Sequence, residues 1–134
     1  MKQRIAHIAL VVKNYDEAIE FYTKKLHFDL IEDTDLGDGK RWVLVRPKGD
    51  SNCCLLLAQP VNERQAKSIG NQTGGRVFLF LYTDNFERDY QNLLHQNIKI
   101  IRPPKTETYG TVAVFADLYG NWWDLIEPSI SNSL

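Results

Sequence analysis

The feature of this sequence that most constrains its fold is a repeated order of strand and helix signals. In each half, a short apolar run rich in β-branched residues leads into a helix start. Residues 5–12 precede Asn14, and residues 76–82 precede Asp84. Each of these two N-cap candidates has a glutamate three positions later, the spacing of a capping box. The equivalent positions share a shift of 70 residues: Glu17 with Glu87, Leu30 with Ile100, and Leu44 with Val114.

This repeat predicts an α+β fold built from two β-α-β-β-β modules. Module one is expected over residues 1–59 and module two over residues 75–128, with a polar linker over 60–74 and a tail over 129–134. The predicted strands are 5–12, 28–33, 41–46, 53–59, 76–82, 98–101, 111–115 and 122–127, and the predicted helices are 15–26 and 85–96. Residues 102–110 are expected to form a loop. The linker is expected to carry a short helix over 62–68 and a flexible glycine-rich stretch without the spacing of a phosphate-binding loop.

Composition excludes several classes of protein. The chain has 134 residues with a formal net charge of -1, which gives no overall attraction to nucleic acid or anionic membranes. No apolar run approaches the ~18 residues of a membrane span, and the first residues do not resemble a signal peptide. Cys53 and Cys54 are adjacent in an apolar run, so they are expected to be packed thiols of a cytoplasmic protein.

Two polar residues stand out within apolar strands. Strand alternation places Asp124 on the same face as Trp122 and Ile126. An isolated buried carboxylate is costly, so this residue needs a metal, a cation, a hydrogen-bond donor or a proton. The alternative is a structural salt bridge to an arginine such as Arg41, Arg46 or Arg76. His7 is either a hydrogen-bonded strand histidine or a residue that binds a ligand or transfers protons.

The chain resembles the vicinal-oxygen-chelate superfamily, which includes glyoxalase I, fosfomycin- and bleomycin-resistance proteins and extradiol dioxygenases. In module one the resemblance lies in residues 5–12 together with Asp16-Glu17-Ala18 and Phe21-Tyr22. In module two it lies in residues 114–127, where Asp117-Leu118-Tyr119-Gly120-Asn121 precedes the last strand. The resemblance implies a single glyoxalase-like domain in which a curved mixed sheet surrounds one cavity.

The same resemblance implies four metal-ligand positions. They fall on His7, Leu56, Val77 and Asp124, and only His7 and Asp124 carry ligand atoms. The cofactor implied is at most one divalent ion of Zn, Ni, Mn or Fe, held by these two residues plus water or a side chain such as Glu107 or Gln72.

Further residues are candidates for contact with a substrate. By resemblance, the loop before the seventh strand reaches over the cavity, so Glu107 and Tyr109 are predicted catalytic or anchoring groups; the alternative is a solvated turn. Arg41 and Arg76 could each hold a carboxylate or phosphate with two hydrogen bonds, or pair with a nearby acid. Substrate binding is therefore predicted for Arg41, Trp42, Arg76 and Trp122.

Two functional hypotheses follow from the resemblance. The first is binding of a small molecule with metal-assisted lyase-type or dioxygenase-type chemistry at His7 and Asp124. The second is a metal-free binding protein that sequesters a small molecule, as bleomycin-resistance proteins do. The resemblance also implies a homodimer, and a structural dimer without a ligand is a third hypothesis.

Overall fold

The structure, a computed structural model, describes residues 1–49 and 52–130. The chain divides into two compact units, Met1–Ile69 and Gly70–Leu134. Their boundary falls within the linker that the sequence predicts over 60–74.

Unit 1 contains one four-stranded mixed sheet and two short helices. Its elements are β1 (His7–Val11), α1 (Tyr15–Glu20), β2 (Asp29–Gly37), β3 (Lys40–Arg46), β4 (Cys54–Ala58) and α2 (Glu63–Ala66), and a π-helical turn (Phe21–Lys25) follows α1 directly. The strand order is β1-β4-β3-β2. β1 and β4 are parallel, whereas the other neighbours are antiparallel.

Unit 2 repeats this arrangement. Its elements are β5 (Val77–Tyr82), α3 (Phe86–His95), β6 (Ile100–Glu107), β7 (Gly110–Ala116) and β8 (Trp122–Pro128). The strand order is β5-β8-β7-β6, and again only the first and last strands of the unit are parallel. The predicted α+β class and the two β-α-β-β-β modules are therefore confirmed.

The helix starts depend on asparagine caps. The Glu17 N–H donates to the Asn14 side chain at 2.9 Å, as the sequence predicts. In unit 2 the cap is Asn85 rather than the predicted Asp84, and it accepts a hydrogen bond from the Arg88 N–H at 3.0 Å. The helix begins one residue later because the Asn85 N–H donates to the Thr83 hydroxyl, which forms a turn before the cap.

Each sheet packs one face against its helix. In unit 1, α1 lies on β3 and β4, and in unit 2, α3 lies on β7 and β8. The residues that fill the two helix-facing cores are almost fully buried: Leu10, Val43, Val45 and Leu57 in unit 1, and Ala113, Phe115, Trp123 and Leu125 in unit 2. We call the opposite face of each sheet its helix-free face; in unit 2 it carries Phe80, Trp122 and Asp124.

The predicted loop over 102–110 is wrong. β6 continues to Glu107, and only Thr108 and Tyr109 separate it from β7. Pro103 and Pro104 lie within β6, which is possible because β6 is the edge strand and a bulge interrupts its pairing between Arg102 and Lys105. None of the helices in the described ranges has the length and apolar character needed to cross a bilayer.

Candidate functional site

A row of four residues crosses the helix-free face of unit 2. Strand pairing places Phe80 of β5 beside Asp124 of β8, Asp124 beside Val114 of β7, and Val114 beside Arg102 of β6. Side chains of one row point to the same side of a sheet. Asp124 therefore lies between two apolar neighbours, with a guanidinium one strand further along.

The carboxyl group of Asp124 is partly buried and has an unusual electrostatic environment. Burial raises the pKa of Asp124 above its usual range, and the charge of Arg102 opposes this shift. Within residues 1–49 and 52–130, no ion pair or hydrogen bond reaches this carboxyl group. The alternative ion pair with Arg41, Arg46 or Arg76 is therefore not formed among these residues.

Arg102 is a site residue that the sequence analysis missed. Its guanidinium carbon lies 5.6 Å from the centroid of the Trp122 ring, a cation–π contact. The sequence predicts a loop that begins at Arg102, so this residue was not among the site candidates. Regular alternation from Ile100, which pairs with Phe115, would place Arg102 on the helix-facing side of the sheet. The register shift between Ile100 and Arg102 brings Arg102 opposite Val114 instead, on the helix-free face.

A small pocket adjoins Trp122. It has a volume of about 160 Å³ and is lined by Gly70, Asn71, Thr73, Gly75, Arg76, Gly120, Asn121 and Trp122. The structure thus brings together two of the four predicted substrate-binding residues, Arg76 and Trp122. We call this cavity the Arg76 pocket.

The walls of the Arg76 pocket are held by buried polar groups. Asp117 accepts hydrogen bonds from three backbone N–H groups, those of Tyr119, Gly120 and Asn121, at 2.9–3.1 Å. The Asn121 side chain accepts a hydrogen bond from the Gln72 N–H at 3.0 Å, which ties the linker to the loop before β8. The Asp117–Asn121 segment of the resemblance is therefore a structural turn that builds one wall of the pocket.

Gly70 completes this attachment through a close backbone approach. It has a φ of +73°, and a Cβ there would collide with the Tyr119 carbonyl oxygen. Only glycine fits this conformation and this contact without strain. The linker segment is consequently fixed against unit 2 at this point, contrary to the flexible stretch that the sequence analysis expected.

In unit 1, the helix-free face brings together two other predicted residues. The His7 and Trp42 rings meet edge to face, with centroids 6.0 Å apart. His7 is exposed. Leu56 occupies one of the four ligand positions that the resemblance implies. It pairs with Ala9 on one side and Leu44 on the other, so both of its neighbours on adjacent strands are apolar.

Arg41 lies on the opposite face of β3 from Trp42 and makes structural contacts. Its Nε and Nη2 donate to the Asp33 carboxylate at 3.1 and 2.7 Å, and Nη1 lies 2.9 Å from Asp16. The guanidinium also lies over the Tyr15 ring, 5.1 Å from its centroid. The hydrogen-bonded guanidinium holds the pKa of Asp33 below its usual range. The structure therefore does not bring Arg41 together with Trp42.

Glu107 and Tyr109 lie at the β6–β7 hairpin. Glu107 forms an ion pair of 3.1 Å with Lys105, and Tyr109 is about half exposed. Glu107 pairs with Gly110 of β7, whereas Asp124 pairs with Val114 of the same strand. Gly110 and Val114 are four residues apart, which is roughly 13 Å along a strand. The structure does not place either residue beside Asp124.

The donor set does not fit a tightly held metal ion. Structural and catalytic sites for transition metals use three or four protein ligands. Among the residues that the structure describes, no group of three or more His, Cys, Asp or Glu side chains could hold a metal. We therefore derive no catalytic step through a metal ion.

Comparison with known proteins gives relatives over nearly the whole chain. A protein of Shewanella frigidimarina with the name "Uncharacterized protein" is 59% identical over 128 residues, which is 95% of each chain. The crystal structure of UcmS2 has a TM-score of 0.83 and 29% identity, covering 95% of this chain and 99% of that one. The crystal structure of TnmS3, an antibiotic binding protein from Streptomyces sp. CB03234, has a TM-score of 0.77 and 27% identity, covering 96% and 98%.

The match to a protein family extends over both units of the chain. Residues 4–125 match the Glyoxalase/Bleomycin resistance protein/Dioxygenase superfamily. This range includes residues 5–12, 16–18, 21–22 and 114–125, nearly all of the segments on which the sequence resemblance rests. The chain therefore belongs to the glyoxalase/bleomycin resistance protein/dioxygenase superfamily.

Proposed function

We propose that this protein binds a small aromatic compound without a metal, on the helix-free face of unit 2. The observation that carries the proposal is a partly buried carboxyl group, Asp124, that has the exposed Phe80 beside it and shares its face of the sheet with two further aromatic residues, Tyr82 and Trp122. Phe80 is 62% exposed and Tyr82 is 53% exposed, although both are large apolar side chains of a strand. Trp122 lies on the same face.

Exposed aromatic side chains grouped around one polar atom are typical of ligand-binding surfaces. A ligand ring that covers Phe80 and Tyr82 would remove apolar surface from water. A hydrogen-bond donor or ammonium group on that ligand would satisfy the Asp124 carboxyl group. The likeness to TnmS3, an antibiotic binding protein, supports a binding role of this kind.

The test uses two aromatic probes that differ in one polar group, 1-naphthylmethylamine and 1-methylnaphthalene. Binding is followed by the NMR signals of the three tryptophan indole N–H groups. Trp122 should respond, and Trp123, which is buried on the helix-facing side of β8, serves as an internal reference. We expect the amine to bind more tightly than the hydrocarbon, and Asp124→Asn to weaken amine binding about tenfold, which corresponds to ~1.4 kcal/mol.

Asp38→Asn is the matched control, because Asp38 is an exposed turn residue of unit 1. It should leave both affinities unchanged. An amine that binds wild-type and Asp124→Asn protein equally would contradict the role of Asp124. The absence of any Trp122 response to both probes would contradict the binding site.

Metal-assisted chemistry at His7 and Asp124 is the alternative hypothesis, and the same titration distinguishes the two. We expect equal amine binding by protein treated with EDTA and by protein supplied with Zn²⁺, Ni²⁺, Mn²⁺ or Fe²⁺. Binding that is lost on EDTA treatment and restored by one of these ions would favour the alternative. His7→Ala should abolish that restoration if His7 is a ligand.

A further inference from the structure

We propose that the Arg76 pocket binds an oxyanion, the carboxylate or phosphate group of the aromatic ligand. The aromatic part of this inference rests on the proposed function, whereas the anion site does not. Trp122 connects the two, since it lines the Arg76 pocket and lies on the same face as Asp124.

The Arg76 pocket is large enough for one substituent of a ligand but too small for a whole drug-sized ligand. Pockets that enclose a drug-sized molecule have volumes of about 300–1,000 Å³. The Arg76 pocket has about 160 Å³. It can therefore hold a compact polar group whose ring remains outside, on the helix-free face.

The lining of the pocket is positively charged, which favours binding of an anion. Arg76 is the charged residue of the lining, and no carboxylate belongs to it. Within residues 1–49 and 52–130 the Arg76 guanidinium forms no ion pair or hydrogen bond, in contrast to Arg41, whose guanidinium is occupied by two carboxylates. A guanidinium can donate two parallel hydrogen bonds to a carboxylate or phosphate.

A second guanidinium contacts one residue of the lining. Arg102 stacks on the Trp122 ring, which itself lines the pocket. Asn71 also belongs to the lining, and an asparagine side chain carries N–H donors. Gly75 has open space where a side chain would be, so its backbone is accessible to a small ligand.

The pocket is also built in advance of binding. The Gly70–Tyr119 backbone approach and the hydrogen bond from Gln72 to Asn121 hold the linker in place. The Thr73 hydroxyl donates to the Arg76 carbonyl oxygen at 2.6 Å, which fixes the turn that presents Arg76. A preformed site loses less entropy on binding than a mobile loop does.

The test compares 1-naphthylacetate with its neutral isostere 1-naphthylacetamide, again by the Trp122 indole signal. We expect the carboxylate to bind at least tenfold more tightly, and Arg76→Gln to remove this preference. Arg64→Gln, the same substitution at an exposed position of α2, is the matched control and should preserve it. Inorganic phosphate should compete with 1-naphthylacetate in the wild-type protein.

The outcomes separate this inference from the proposed function. A preference for the carboxylate that persists in Arg76→Gln, or no preference at all, would overturn the anion site. Binding of 1-naphthylmethylamine that depends on Asp124 would in that case still support the proposed function. A third outcome is that no naphthyl compound binds, but inorganic phosphate binds to the wild type and not to Arg76→Gln. This result would support the anion site and contradict the proposal of an aromatic ligand.

Discussion

Asp124 illustrates how a single residue can be unfavourable for folding and useful for binding. Its side chain lies between Phe80 and Val114 in the strand pairing, and the effect of burial on its pKa exceeds that of Arg102. The ionised carboxyl group therefore destabilises the folded state. A ligand that donates to this group would recover that free energy, so the residue favours the bound form of the protein.

We predict that Asp124→Asn does not destabilise the protein at pH 7. Because the folded-state pKa is raised, the folded protein holds this proton more tightly than the unfolded chain does. The cost of the charged form is thus present at neutral pH and vanishes as the pH falls below the usual carboxyl range. The variant should be more stable than the wild type at pH 7, by less than about 1 kcal/mol because solvent screens a partly exposed group.

Thermal unfolding between pH 3.5 and pH 8 measures this difference, with Asp38→Asn as the control. The stability gain should shrink towards acidic pH. A loss of about 3–5 kcal/mol at pH 7 would instead identify Asp124 as half of a buried ion pair.

Site residues were predictable from the sequence where strand alternation alone decided their position. Asp124 and Trp122 share a face, as the pattern predicts, because β8 is regular over its whole length. Arg102 was not predictable in the same way, since the pairing of β6 shifts register on both sides of it and two prolines follow it. Its position depends on pairing with β7, which a local pattern does not contain.

At the scale of elements, Arg41 joins three parts of unit 1. It extends from β3 to Asp33 of β2 and to Asp16 of α1, and its backbone N–H donates to the Tyr15 hydroxyl at 3.2 Å. The contacts connect the outer strand pair of the sheet to the start of its helix. Arg41 therefore stabilises the packing of α1 on the sheet.

We predict that Arg41→Gln lowers the free energy of unfolding of the protein by about 1–2 kcal/mol at pH 7. The lowered pKa of Asp33 means that this stabilisation is present above the carboxyl pKa of the unfolded chain, about 3.9, and is lost as the pH falls through the folded-state pKa. The variant and the wild type should therefore converge in acid.

Urea unfolding at pH 7 and at about pH 2, well below the carboxyl pKa of the unfolded chain, checks this expectation. Arg64→Gln removes the same charge from an exposed position and should have no effect at either pH. An equal loss of stability in Arg41→Gln at both pH values would show that the arginine acts through packing on Tyr15 rather than through its carboxylate partners.

Most elements were predictable because their signals are local. Apolar runs marked the strands, and Asn14 with Glu17 marked a helix start. The differences have physical causes that act over longer range. β2 runs to Gly37 because β3 pairs with it up to the turn, and β6 passes through Pro103 and Pro104 because an edge strand has one side without partners.

At the scale of the whole molecule, the resemblance predicts a homodimer. We expect sedimentation equilibrium at micromolar concentrations to give twice the mass of the chain. The mass of a single chain at tens of micromolar would contradict the prediction.

The parallel strand pair of each unit has a consequence for the synthesis of the chain. Among the described residues β1 pairs with β4, and His7 meets Cys54, which lies 47 residues later. At a translation rate of about 5–20 residues per second, β1 waits roughly 2–10 s for its partner on the ribosome. During that interval the apolar β1 strand is an unpaired edge that a chaperone or a neighbouring nascent chain can bind. Once residue 58 has emerged, all four strands of the first sheet are available, and unit 1 can complete its sheet while unit 2 is still being translated.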